Sequence, residues 1–238
     1  MKKIIIVLIA MFATIPTLAF ADEGDFEIVS SNEKYFKTTT INFSTSYTEE
    51  ISKEEYEFSN INEGISPRIS SYISTEYKKM TTSILSNGSY YRYKVVLDWK
   101  KMPKVRSYDI IGIGHNSSVK MAGSPTFNLK YCTEISTCTT TTTATKQSFS
   151  NGAGASFKLP TGDFVTLQVT FYYNVEKNSN STLYSQTAYG DYSHATSSVT
   201  ANQAKQYSVD TSGIVLNSSV YNYYDSISTA SVSWSGNW

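Results

Sequence analysis

The stretch FVTLQVTFYYNVEK, Phe164–Lys177, places Val165, Leu167, Val169, Phe171, Tyr173 and Val175 at every second position, with Thr166, Gln168, Thr170, Asn174 and Glu176 between them. An apolar period of two marks a strand with one face in a core and the other in water, because successive side chains leave a pleated strand on opposite sides. The stretch YRYKVVLDWK repeats the pattern. There Tyr91, Tyr93, Val95, Leu97 and Trp99 oppose Arg92, Lys94, Asp98 and Lys100, and only Val96 is out of phase. Phe127, Leu129 and Tyr131 alternate in the same way, as do Ile41, Phe43, Thr45 and Tyr47 further upstream. These phases predict that Leu97, Trp99, Ile110, Ile113, Val165, Leu167, Val169 and Phe171 lie in the main core.

The rest of the composition agrees. Aromatic residues make up 14% of the chain, and 19 residues are tyrosine; aromatic and β-branched side chains suit half-buried strands. Turn signals separate the runs at Asn87-Gly88, Asn151-Gly152, Pro160-Thr161-Gly162 and Ser212-Gly213. Many short alternating strands predict an all-β, antiparallel β-sandwich, immunoglobulin-like or related, although the close spacing of the two cysteines departs from the inter-sheet disulfide of antibody domains. SYDIIGIG, residues 107–114, reads as a central strand apolar on both faces. One region resists: Tyr47–Pro67 carries six glutamates, and Ser52 with Glu55 fits a capping box, which predicts a short helix or an irregular acidic connection. The threonine tract Cys138–Lys146 is expected to be an edge strand rather than a linker.

The chain opens MKKIIIVLIAMFATIPTLAFADEG. Lys2 and Lys3 precede an apolar run that is broken by Thr14 and Pro16, shorter than the ~20 residues of a membrane span, and followed by Ala19-Phe20-Ala21. This predicts a signal peptide over residues 1–21, cut after Ala21, and a secreted, extracellular protein with no transmembrane span. Residues 22–67 then form an N-terminal strand and the acidic connection, and residues 68–238 the sandwich, continuous with the preceding segment. A surplus of lysine over arginine, with abundant isoleucine and asparagine, points to a bacterial source. Asn-x-Ser/Thr triplets at Asn42, Asn87, Asn116, Asn180 and Asn217 read as chance in so Asn- and Ser-rich a chain. Lys plus Arg and Asp plus Glu each number 20, so no basic surplus suggests a nucleic-acid partner.

Cys132 and Cys138 are the two cysteines, and in an oxidising compartment their spacing predicts a disulfide at the base of a hairpin. Catalytic motifs are sparse: the sequence carries no G-x-S-x-G elbow, no H-E-x-x-H pair and no phosphate-cradling glycine loop. No metal site and no cofactor is expected. His115, six residues after Asp109, would stand roughly 20 Å from it along an extended strand, so the two do not pair, and His115 is expected in the turn with Asn116 and Ser117. His194 follows Asp191 by three residues.

The reading that fits best is a non-catalytic module binding a glycan or an anionic cell-wall or matrix polymer. Candidate binding residues are Lys100, Lys101, Lys104 and Arg106 in a basic loop, and the aromatics Tyr221, Tyr223, Tyr224 and Trp238. Two alternatives stand beside it. One is a membrane-active β-hairpin spanning Thr139–Leu159. The other is a hydrolase using paired carboxylates drawn from Asp98, Asp109, Asp163, Asp191, Asp210 and Asp225. The first test is of the leader: N-terminal sequencing of the secreted protein is expected to begin at Asp22, and any other start displaces the cut.

Overall fold

The computed structural model describes residues 26–41, 45–59, 73–134, 136–225 and 227–238. The expected signal peptide lies outside the described residues. In chain order the elements are β1 (Glu27–Ile41), β2 (Thr45–Ile51), α1 (Lys53–Phe58), β3 (Ile73–Ser86), β4 (Tyr91–Trp99), β5 (Tyr108–His115) and β6 (Val119–Cys132). There follow β7 (Cys138–Thr141), β8 (Thr145–Phe149), β9 (Gly152–Lys158), β10 (Thr166–Lys177), β11 (Ser185–Ser193), β12 (Tyr207–Asp210), β13 (Gly213–Leu216) and β14 (Ala230–Ser235).

The strands form an antiparallel β-sandwich. One sheet has seven strands in the order β2-β1-β3-β4-β10-β6-β7, and the other has five in the order β14-β11-β5-β9-β8. The alternating stretches occupy the middle of the larger sheet. Leu167 sits between Trp99 and Tyr131, Val169 between Leu97 and Leu129, and Phe171 between Val95 and Phe127. These rows face Ile111, Ile113, Ala155, Phe157 and Tyr192 of the smaller sheet in one buried cluster. Two tyrosine hydroxyls cross the core to acceptors opposite: Tyr173 donates to the Ile113 carbonyl at 2.9 Å and Tyr93 to Gln186 Oε1 at 2.7 Å.

The β12–β13 hairpin forms a third layer on the outer face of the smaller sheet, where Tyr207 and Val209 pack with Ile110, Ala195 and Val220. Its seat is made of glycine. Gly112 and Gly114 of β5 pair with Gly154 and Gly152 of β9. A Cβ on Gly114 would stand 1.7 Å from the Asp210 carbonyl oxygen, and one on Gly154 would stand 2.7 Å from the Tyr207 ring. Side chains there would lift the hairpin off the sheet. This is why β5 is buried on both faces, as its unbroken apolar run predicts.

One lateral edge, that of β14, is covered too. Ser30 Oγ and Asn32 Nδ2 of β1 donate to the Ser233 and Ser231 carbonyls of β14, each at 2.8 Å, so side chains occupy acceptors that an exposed edge would offer to another chain. The threonine tract does form edges, one on each sheet: β7 borders the larger and β8 the smaller. A Cys132–Cys138 disulfide joins β6 to β7 where the two residues are paired in register. Ser52 caps α1, its Oγ accepting from the Glu55 N–H at 3.1 Å, while the Glu55 carboxylate turns to Lys37.

Three expectations are corrected. Ile110 is buried, but in the outer cluster under the β12–β13 hairpin rather than in the main core between the two sheets. The stretch from Ile41 to Tyr47 is not one strand, because Ile41 pairs with Thr45 across the β1–β2 hairpin. Val165 is 53% exposed rather than in the core; it keeps the alternation but precedes β10, and its N–H bonds the Cys132 carbonyl at the margin of the sheet. Leu167→Ala is therefore expected to cost about 2–5 kcal/mol, leaving a cavity in the central row, and Val165→Ala under about 0.5 kcal/mol. Denaturant midpoints check both, and equal losses would contradict this phase.

Candidate functional site

Asp109 finds its histidine on another strand. It shares the inward face of β5 with Ile111 and Ile113, and His194 at the end of β11 brings Nδ1 to 2.9 Å from its Oδ2. Tyr192 donates its hydroxyl to the same oxygen, and the Ala195 N–H bonds Oδ1 at 2.9 Å. Asp191, the sequence neighbour of His194, is three residues away and so leaves the strand on the opposite side. Burial opposes the charged imidazole of His194, but the carboxylates of Asp109 and Asp225 outweigh it and hold its pKa above the ordinary value.

His115 is a core residue rather than a turn residue. β5 stays paired through it, with His115 opposite Ala188 of β11. Its ring is buried with an edge toward Tyr173 at 6.1 Å, and Nδ1 is 2.9 Å from the Asn116 carbonyl. Burial lowers its pKa.

Beside the Asp109–His194 pair, Lys78 of β3 meets Asp225 in an ion pair whose side chains are 0% and 2% exposed. The His194 N–H donates to Asp225 Oδ1 at 2.7 Å. The edge of the Trp99–His194 ring contact, 5.0 Å between centroids, closes the group. On the other face of the sheet, Asp191 clamps the third layer: Oδ2 accepts from the Ile214 N–H at 2.8 Å and Oδ1 from the Tyr192 N–H at 2.7 Å. Burial pushes this carboxyl up to about 7 despite those two donors, with the Asp225 carboxylate adding to the rise.

Three of the six aspartates singled out from the sequence, Asp109, Asp191 and Asp225, thus converge. Asp191 and Asp225 line a recess of about 70 Å³ with Ser193, Ile214, Leu216, Tyr221 and Ile227. At roughly 30 Å³ per liquid water that holds about two waters and no sugar ring. Among the described residues, no group of three or more His, Cys, Asp and Glu side chains is placed to hold a metal ion.

The predicted binding residues disperse. Lys100 Nζ contacts the Tyr56 carbonyl and lies 3.0 Å from that of Glu57, supplying the cation that the last turn of α1 lacks. Arg106 Nη1 reaches the Pro160 carbonyl at 3.4 Å, with its guanidinium 5.4 Å from the Phe164 ring. Lys101 and Lys104 are exposed. Tyr221 and Tyr223 are exposed, whereas Tyr224 is buried in the outer core. Trp238 is half-buried against Tyr91, 4.6 Å between centroids. The Thr139–Leu159 stretch is divided between the two sheets, and β9 within it is buried on both faces.

A larger recess, about 140 Å³, lies between the turn after β5 and the loop after β10. Its walls are Ser117, Ser118, Lys177, Asn178, Ser179, Ser181, Thr182 and Leu183. Asn178 Nδ2 ties the two loops together by donating to the Ser117 carbonyl at 3.1 Å. Trp238 adjoins this wall, its backbone bonded in both directions to Leu183 at 3.0 and 3.1 Å. The sequence reading passed over these residues; the signal was the NSNST run at 178–182, which looks like any polar loop until the second loop is known.

No family model and no curated protein matches the chain. Among solved structures, the N-terminal domain of PorA is similar over 46% of this chain and 66% of that chain, at 10% sequence identity and a TM-score of 0.20. So slight a likeness carries neither fold nor function.

The buried acids make stability depend on pH. Asp191 is protonated in the folded state well above its ordinary 3.8, so its contribution falls as pH rises from about 4 to 7. His194, raised, contributes fully below 6.5 and loses that as pH climbs through its folded value. His115, lowered, works the other way below 6.5. Denaturant titrations are expected to show the wild type losing stability relative to Asp191→Asn from pH 4 to 7, by up to about 4 kcal/mol at roughly 1.4 kcal/mol per unit. A difference that stays constant with pH would remove Asp191 from the account.

Proposed function

We propose that the protein is a secreted, non-catalytic binding module that takes an end group of a cell-wall or matrix glycan in the recess between the turn after β5 and the loop after β10. The lining of that recess carries the reading. Ser117, Ser118, Asn178, Ser179, Ser181 and Thr182 present hydroxyl and amide groups, the donors and acceptors that sugar hydroxyls match. At about 140 Å³ and open on one side, the recess has room for part of an end group rather than for a drug-sized ligand. Tyr184, which follows Leu183 of the wall and is 68% exposed, is an aromatic on which a sugar ring could stack.

The groups with catalytic potential support a non-catalytic role. The Asp109–His194 and Lys78–Asp225 pairs are engaged with one another inside the core. The basic loop contributes less than its charge suggests, because Lys100 and Arg106 are turned to backbone carbonyls.

Retention on purified wall polysaccharide, and titration with the oligosaccharides it releases, test the reading. Ser181→Ala with Thr182→Ala is expected to weaken binding roughly 10- to 30-fold, from two hydrogen bonds at about 1 kcal/mol each, with an unchanged melting temperature. Undiminished binding moves the site elsewhere, absence of retention on any glycan ends the reading, and release of soluble reducing sugar returns the paired-carboxylate hydrolase.

A further inference from the structure

Lys78 is the most unusual residue in the core. It takes the inward phase of β3 with Met80 and Ile84, and no part of it reaches solvent. An ammonium held without water is costly unless it is paired or neutral. Its Nζ lies 5.0 Å from the centre of the Trp99 ring and 5.5 Å from that of Tyr192, and it touches Asp225 Oδ2. Asp225 lies 147 positions along the chain and is held from both sides: Oδ1 accepts the His194 N–H at 2.7 Å, and Oδ2 stands 3.3 Å from Thr48 Oγ1. An amine and a carboxyl are thus fixed against each other beside two aromatic rings, the amine with no access to solvent.

We propose that the folded chain joins these two side chains itself, forming an intramolecular amide bond between Lys78 Nζ and Asp225 Cγ. In the first step the ammonium passes a proton to the carboxylate, leaving an amine and a carboxylic acid in contact. The amine nitrogen then attacks Cγ. The oxygen held by the His194 N–H carries the charge of the tetrahedral intermediate, as an oxyanion site does. The oxygen facing Lys78 receives a second proton from the nitrogen and departs as water. One C–O bond breaks, one C–N bond forms, and nothing is oxidised or reduced. Fixed placement supplies the drive, since well-oriented partners react as though at about 10⁵–10⁸ M. Asp109 is a positioning residue: by holding the His194 ring and the Ala195 N–H it sets the backbone amide that addresses Asp225. The product ties β3 to the segment before β14 by a link that reducing agents do not open.

The test is the mass of the reduced, fully denatured protein, with its N-terminus established by peptide mapping. The wild type is expected to be lighter than its chain by one water. Trypsin is expected to leave the bond after Lys78 uncut and to yield one branched peptide containing both Lys78 and Asp225. Lys78→Arg and Asp225→Ala are each expected to restore the full mass and lower the melting temperature. Asp225→Asn is expected to give the same cross-linked mass, expelling ammonia instead of water. Wild-type protein at the full mass of its chain, with ordinary cleavage after Lys78, would overturn the proposal and leave an ion pair only; that measurement needs no variant to fold.

Discussion

Burial of β5 on both faces is the constraint around which the molecule is organised. A strand reading Ile110, Ile111, Gly112, Ile113, Gly114 offers no side to water, so the five-stranded sheet must be covered twice. The seven-stranded sheet covers one face with the rows of β4, β10 and β6. The other face is narrower and is covered by backbone as much as by side chains: the β12–β13 hairpin settles on four glycines that leave no Cβ in its way. Asp191 then fastens the hairpin to the sheet through the Ile214 N–H. Making that bond buries the carboxyl, and burial pushes its pKa up to about 7.

The same two-sided burial explains where the polar groups of the interior collect. Asp109 is carried into the core by the phase of β5, and once there it must be answered by donors, because an unpaired buried carboxylate is far more costly than any single contact it could make. Tyr192, His194 and the Ala195 N–H answer it, all from the end of β11 and the residues after it. Lys78 and Asp225 form a second closed pair alongside. With Asp109 answered by three donors and Lys78 paired with Asp225, this end of the core is polar and its carboxylates are engaged from within. A rigid sandwich presenting a loop-built recess is a common division of labour, the scaffold holding still what the loops display.

Cross-links and edge cover act at the boundaries of this scaffold. The Cys132–Cys138 disulfide holds the short edge strand β7, and Ser30 and Asn32 shield the free side of β14. An amide between Lys78 and Asp225 would extend that logic from the edges to the interior, tying an inner strand of the larger sheet to the chain just before the last strand of the smaller one.

How much of this was legible depends on whether the deciding force was local. The alternation at Tyr91–Trp99 and Thr166–Lys177, the Asn87-Gly88 turn, the Ser52 cap and the disulfide all arise from backbone pleat, turn geometry or short spacing, and each can be read within a few residues. The same local logic reaches too far at Val165, where the alternation continues past the part of the sheet that is covered, and at His115, where β5 stays paired with β11 beyond the expected start of the turn. The pairing of Asp109 with His194, the inward turn of Lys78 toward Asp225 and the recess between two separate loops lay beyond it. By itself the sequence determined which residues form strands and which side of each strand seeks the core, because a period of two is a property of the chain alone. Only the tertiary structure decided which strands stand opposite one another, because sheet order and stacking are set by packing between segments as much as 203 residues apart, and no local period records a partner at that distance.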